Sequence, residues 1–529
     1  MTPADTASDG AARHRRAFLS AMMASGFAYL MTAVSFVTVP LYLGWLGVDA
    51  YGRFLTLLAF MGYLNFADAG LNWGALVLIG MANGRQDRAA VASLFRHASV
   101  LAAASAFFAL ALCLGVYGLS RLGHTLPMFA AGPAPGTSLL LIGLKSAFML
   151  SSSSVMAMAY GLQEGYWYTR LQGYFQLLGA ALMLAAAYWM RSVDAVVAAS
   201  AAASGLSCAA TLWMASRRYA DYLSVRTPLS LGTFKQLLRT GAKGFVLQGC
   251  RLVRTTLPIF LMASYGGTRS VPSLTLPLTL LAVVGGFLFN LSTSLQTAYG
   301  EAWARGEKLW IATSLRHLVE RGLGWMLLAS ALILGLGQLF VSTWTAGRVG
   351  VPLAVLGSAV AITFASWMTD LCIFALVGIN RQRRVALAEV ANVALGALIC
   401  VGLCSRGEQA YLGFGTLAAA ILTTLWVGRR ELHVWLETWT FEPSARSAAG
   451  LLLSCAASLA CVLGARSLME PFGGGVATWA KMGGIGVLGA SVFVAGVWVC
   501  GLKQEQWPGF DWVSFLKARL PRAAAPRFT

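Results

Sequence analysis

Apolar runs long enough to cross a bilayer recur along the whole chain, divided by short polar connectors. A hydrocarbon core of about 30 Å takes about 20 helical residues. Runs of this kind fall near 18–43, 53–81, 98–120, 137–160, 171–190, 195–215, 244–264, 273–298, 322–342, 353–379, 386–404, 411–428, 448–466 and 479–501. The pattern predicts an all-α polytopic membrane protein with about fourteen transmembrane helices. The first run follows Arg13, His14, Arg15 and Arg16. It exceeds a signal-peptide core of about 7–15 residues, so it reads as an uncleaved first span with its N-terminus in the cytoplasm.

Composition narrows the class. Of 529 residues, 58% are apolar and 11% charged, against about 25% charged in soluble domains. Mean hydropathy is +0.69. These values exclude a soluble enzyme, a disordered chain and a nucleic-acid binder, although the formal net charge is +19. Position explains that charge. With the N-terminus inside, the cytoplasmic segments hold 28 of the 39 Lys and Arg residues, including Arg217, Arg218, Arg226, Lys235, Arg239 and Lys243 in one connector. The outside segments hold eight: Arg53, Arg121, Arg191, Arg269, Arg348, Arg406, Arg466 and Lys481. Under the positive-inside rule the protein is a multi-pass plasma-membrane protein with both termini cytoplasmic.

No connector is long enough to form a catalytic domain. The longest outside one, near Arg121–Gly136, contains no acid, so the chain reads as a non-enzyme without a cofactor. Two cytoplasmic stretches, LGTFKQLLRTGAK (231–243) and WPGFDWVSFLKARL (507–520), are amphipathic and suit the membrane interface. The nine cysteines form no CxxC pair and sit near no His at ligand spacing. They read as small buried hydrophobes, and no metal is expected.

Three blocks carry a family pattern: VPLYLGWLGVDAYGRF (39–54), DAGLNWGALVLIGMANGRQD (68–87) and YGLQEGYWYTRLQGY (160–174). Together they resemble the Wzx-type polysaccharide flippases of the multidrug/oligosaccharidyl-lipid/polysaccharide (MOP) exporter superfamily. In the C-terminal half, TAYGEAWARGE (297–307) is similar. The resemblance implies two six-helix lobes in parallel pseudo-repeat plus two C-terminal helices. On this chain that divides as 1–215 (helices 1–6), 216–243 (inter-lobe connector), 244–428 (helices 7–12), 429–501 (helices 13–14) and 502–529 (cytoplasmic tail). It further implies alternating access at the bacterial inner membrane, with an undecaprenyl-pyrophosphate-linked oligosaccharide as substrate. Expected partners are that lipid-linked oligosaccharide, the membrane lipid, a polysaccharide polymerase and a chain-length regulator.

A charge at mid-bilayer costs about 2.5–3.5 kcal/mol on insertion scales. Six lie within or just inside the predicted spans: Asp68, Lys145, Arg251, Arg254, Asp370 and Glu389. Arg251 and Arg254 are three residues apart, with Gln248 near the same stripe. At 1.5 Å per residue from Lys243 they lie roughly 12 and 17 Å deep. Two readings stand: both meet a substrate's diphosphate through planar, permanently charged forks, or they pair structurally with Asp68 or Asp370. Lys145, also roughly 12 Å deep, either lines the same cavity or snorkels. Asn65, Asp68 and Asn72 are spaced as one polar stripe on the second span. Asp68 and Asp370 are each either coupling groups for an H+ or Na+ gradient or members of a structural pair. Glu389 reads as solvated or paired with the Arg381–Arg384 cluster. Tyr166, Trp167 and Tyr168 read as an interfacial belt, with sugar stacking as the alternative.

Overall fold

The computed structural model describes residues 26–68, 70–121, 136–162, 164–225, 228–304, 306, 308–379, 381–437, 445–467 and 476–500. The N-terminal basic cluster, most of the longest outside connector and the 507–520 stretch lie outside the described residues. The chain is helical, without a strand among the described residues. In order, the helices are α1 (Gly26–Trp45), α2 (Val48–Leu64), a 3₁₀ turn (Asn65–Asp68), α3 (Leu71–Gly84), α4 (Arg88–Arg121), α5 (Gly136–Ser151), α6 (Ser153–Gly161), α7 (Gly165–Met190), α8 (Val193–Arg218) and the single-turn α9 (Ala220–Leu223). There follow α10 (Leu231–Gly266), α11 (Val271–Ala304), α12 (Lys308–Trp344), α13 (Leu353–Gly378), α14 (Arg383–Ser405), α15 (Leu412–Ala420), α16 (Trp426–Leu436), α17 (Ala445–Ser467) and α18 (Val476–Val499).

Thirteen candidate spans are long and apolar enough to cross a membrane among the described residues. They correspond to thirteen of the fourteen predicted runs. The remaining run, 53–81, is not one helix: α2 stops at Leu64, and α3 starts at Leu71 after the 3₁₀ turn. Asp68 Oδ1 accepts the Gly70 N–H at 3.0 Å. Gly70 adopts a left-handed conformation with φ 73°, which side chains resist. A Cβ there would also lie 2.7 Å from the Gly241 carbonyl oxygen. Backbone geometry and close approach to α10 both require glycine at 70.

Other helices outrun their apolar cores. The amphipathic stretch 231–243 is the first third of α10, continuous with the seventh span, and Ser230 caps it by accepting the Thr233 N–H at 3.2 Å. The α5–α6 pair is interrupted at Ser152, where the Ser151 and Ser152 hydroxyls donate back to the Ala147 and Phe148 carbonyls. Such back-bonding competes with the helical ladder.

The residues group into two compact units, neither contiguous in sequence. One comprises 1–283, 341–369 and 382–427; the other comprises 284–340, 370–381 and 428–529. In the first unit, Ile79, Val91, Phe95, Met158, Trp167, Tyr219 and Leu237 form a buried cluster that joins α3, α4, α6, α7 and α10. Small residues let backbones approach: a Cβ on Gly161 would lie 2.7 Å from Ile79. Another on Gly74 would lie 2.5 Å from the Leu237 carbonyl oxygen. In the second unit, α17 and α18 pack on each other and on α12, through Leu451, Phe493 and Val497 near one end and Val462, Ile485 and Leu336 near the other. The Ser458 hydroxyl donates to the Gly489 carbonyl at 2.8 Å.

Candidate functional site

The intramembrane charges of the first unit gather around α10 and the broken α2–α3 helix. α10 packs against α2, α3 and α14, while α5 packs against α2 and the 3₁₀ turn. The Thr256 hydroxyl donates to the Tyr63 phenol oxygen at 2.7 Å. A Cβ at Gly62 would lie 3.0 Å from Leu252. The break in α2–α3 therefore sits beside the segment of α10 that carries Gln248 and Arg251.

Arg254 is buried, and its guanidinium donates to Glu389 Oε1. Glu389 has no solvent exposure. Its other oxygen, Oε2, accepts Asn392 Nδ2 at 3.0 Å and the Thr424 hydroxyl at 2.6 Å. Three helical segments thus converge on one ion pair. Thr424 lies in a π-helical turn, Ile421–Leu425, between α15 and α16. A π turn inserts a residue into the helical register, and this one carries the hydroxyl that donates to Glu389. Glu389 is thus a partner of Arg254 that the sequence reading did not name. The reading of Glu389 as solvated or bound to Arg381–Arg384 is corrected, since the carboxylate faces the interior of its unit rather than the basic end of α14.

Arg251 and Arg254 diverge. Arg254 turns into α14, Arg251 is half-buried, and Gln248 is exposed. The 60° between positions three apart on a helix separates the two guanidiniums. Lys145 is half-buried in α5 and makes no hydrogen bond or ion pair with any described residue. Asp68 is half-buried and caps the turn through Gly70. The side chains of Asn65 and Asn72 lie outside the described residues, and the helix between them is broken, so the continuous-stripe geometry is corrected. Asp370 is buried on α13 and belongs to the second unit.

A second polar cluster closes the ends of α7 and α8. Arg218 Nε donates to Glu164 Oε2 at 2.8 Å, and Trp167 Nε1 donates to the Tyr219 oxygen at 3.1 Å. Burial pushes the Tyr219 phenol up, so it stays protonated. Trp167 is only 2% exposed; it is core, neither an interfacial belt residue nor a sugar platform.

Sequence reasoning missed Glu389, Asn392 and Thr424 as one set. It also missed His97, which is fully buried. Its Nδ1 lies 2.7 Å from the Ser93 carbonyl oxygen, and its Nε2 accepts the Ser230 N–H at 2.9 Å. These bonds assign the neutral Nδ1–H tautomer. Glu389 and Asn392 stand at i and i+3 on one helix face, the one local signal available.

An all-helical chain with thirteen candidate spans among the described residues and charged side chains within them has the architecture of a multi-pass membrane protein. The chain matches no protein-family model and no curated sequence. Solved structures supply the comparison. A lipid II flippase MurJ in an inward closed conformation aligns with TM-score 0.67 and 10% identity, over 90% of this chain and 98% of that one. An inward-facing multidrug resistance MATE family transporter of the MOP superfamily aligns with TM-score 0.58 and 16% identity, over 79% and 99%. An outward-facing MATE transporter aligns with TM-score 0.56 and 15% identity, over 80% and 97%. The fold is that of the MOP-superfamily flippases and transporters.

Proposed function

We propose that the protein is a flippase that moves undecaprenyl-pyrophosphate-linked oligosaccharide repeat units across the bacterial inner membrane by ion-coupled alternating access. The observation that carries this reading is Lys145. It is a half-buried cation at the level of the apolar core, without a partner among the described residues. An unmatched charge there is costly and marks a substrate path. A diphosphate is an anion of the kind that Lys145 and the half-buried Arg251 would each contact in this reading. Arg254 is withdrawn from that role by Glu389 and instead fixes α10 against α14. Asp68, at the break in α2–α3, is the group assigned to an H+ or Na+ gradient. Discontinuous spans beside a cavity are a recurring place for such sites. A polymerase and a chain-length regulator would then act on the flipped product.

A second reading, flipping of lipid II itself, is favoured by the longer alignment to MurJ: 90% of the chain, against 79% for the MATE transporter. Export of cationic drugs is disfavoured by two cations, Lys145 and Arg251, within the same unit. A membrane glycan polymerase or ligase would lack a loop for its catalytic residues. The test is flipping in proteoliposomes loaded with an undecaprenyl-pyrophosphate oligosaccharide or with lipid II. Lys145→Ala and Arg251→Ala each reduce flipping of the accepted substrate at least about tenfold, the weight of one charge-assisted contact. Unchanged flipping by both variants overturns the diphosphate role, and faster flipping of lipid II than of the oligosaccharide lipid selects the second reading.

A further inference from the structure

A cavity of about 460 Å³ lies between α4 and the segment that follows α8, lined by Ala92, Phe95, Arg96, Ser99, Tyr222, Leu223 and Val225. None of these is a residue assigned above to substrate or ion. The volume falls in the range of about 300–1,000 Å³ typical of ligand sites, and the lining is apolar with a few convergent polar groups. Arg96 lies two turns into α4, two residues before the apolar run that begins at 98, which puts it at the edge of the hydrocarbon. Leu223, Val225 and Phe95 supply an apolar wall, while Arg96, Ser99 and Tyr222 supply a cation and two hydroxyls.

The wall is braced from several directions. The ring of Phe95 meets Tyr219 edge-on at 6.5 Å, and Tyr219 meets Tyr222 in the same way at 6.4 Å. The Ser99 hydroxyl donates to Ser154 at 3.2 Å. Further along the connector, His97 holds the Ser230 N–H, with its ring edge-on to Phe234 at 4.7 Å. The far end of the segment is thereby pinned to the same helix that forms the cavity floor.

We propose that this cavity binds the phosphate headgroup of a membrane lipid, with Arg96 on the phosphate and the glycerol or first isoprenoid carbons against Phe95, Leu223 and Val225. A small free anion would leave the apolar wall uncovered, and a bare hydrocarbon chain would offer nothing to the polar side of the lining, Arg96, Ser99 and Tyr222. An amphiphile with its phosphate at the membrane edge uses both, as basic pockets between helices do on the cytoplasmic side. The phosphate has two sources, bulk anionic phospholipid and the polyprenyl carrier lipid, and both present the same chemistry to Arg96. The inference does not depend on which substrate is flipped.

The experiment is labelling of the full-length protein in nanodiscs with a photoactivatable phosphatidylglycerol, read as adducts on the peptides that contain Phe95 and Leu223. Competitors are phosphatidylglycerol, undecaprenyl phosphate, diacylglycerol and inorganic phosphate. Adducts at these peptides fall about tenfold in Arg96→Ala, the loss expected for one charge-assisted bond. They fall as far in Val225→Trp, which fills the cavity and leaves the charge. Adducts elsewhere persist in both variants. Phosphatidylglycerol competing at the lower concentration identifies bulk lipid as the occupant, and undecaprenyl phosphate doing so identifies the carrier. Unchanged labelling in either variant overturns the proposal. So does competition by diacylglycerol or inorganic phosphate as strong as that of the two phospholipids.

Discussion

Arg254 and Glu389 give the sharpest test of how charge is used inside this protein. Both are almost or wholly without solvent exposure, at 4% and 0%. Water therefore does little to screen the pair. Removing one member of a buried ion pair costs about 3–5 kcal/mol, because the other charge is left uncompensated; replacing both with apolar residues is neutral or stabilising by about 1–4 kcal/mol. Arg254→Met alone leaves the Glu389 carboxylate with only Asn392 and Thr424. Glu389→Leu alone leaves a buried guanidinium. Each single variant is expected to lose about 3–5 kcal/mol. The double variant should recover most of it, so the coupling energy should exceed the range of about 0.5–3 kcal/mol seen between ordinary contacting residues. The assay is a double-mutant cycle on reversible denaturation in mixed micelles, run beside flipping in proteoliposomes. The two readouts separate two roles. If Arg254 serves only to neutralise Glu389, the double variant regains both stability and flipping. If Arg254 also meets the diphosphate, stability returns and flipping does not. Single variants within about 1 kcal/mol of the parent, or a double variant no more stable than either single, would refute the reasoning.

Three further outcomes follow from the same geometry. Gly70→Ala places a side chain in the left-handed region and against the Gly241 carbonyl, so it should destabilise by at least about 1–2 kcal/mol, measured as above. Asp68→Asn keeps an acceptor for the Gly70 N–H, so the turn should persist. Flipping by that variant should lose its dependence on an imposed H+ or Na+ gradient, and retained dependence would return Asp68 to a purely structural role. Thr424→Val removes a hydroxyl donated to a buried carboxylate and should cost about 1.5–3 kcal/mol. The same substitution at the half-buried neighbour Thr423, whose hydroxyl bonds its own helix at 2.6 Å, should cost less.

The spans were legible because hydropathy alone decides which segments leave water, and thirteen of the fourteen predicted runs correspond to long apolar helices. Run 53–81 failed because hydropathy is blind to dihedral angles. Asn65, Asp68 and Asn72 look like a polar stripe if the helix is assumed continuous. The Asp-x-Gly sequence instead makes a side-chain turn at a left-handed glycine. Asp two residues before Gly is a turn signal in a soluble chain, and it keeps that meaning inside a membrane when another helix packs against the freed backbone.

The pairing of Arg254 with Glu389 was hidden for a different reason. Depth along a helix can be counted from one sequence, and both arginines lie within a helix long and apolar enough to cross a membrane. Direction across the bundle cannot be counted in that way. It depends on the crossing of α10 with α14 and on the π turn that carries Thr424. Arg254 and Glu389 are 135 positions apart, several other acids lie between them, and distance in sequence ranks none of them. The consequence reaches the functional reading. Of the two arginines read as phosphate ligands or structural partners, Arg254 is buried in an ion pair with Glu389 and Arg251 is half-buried. A half-buried cation without a partner among the described residues is then Lys145, on α5, which also packs on α2. A substrate diphosphate bridging α5 and α10 would touch both elements that pack on α2. Such bridging would let its binding bias the bend at Asn65–Gly70, where Asp68 sits.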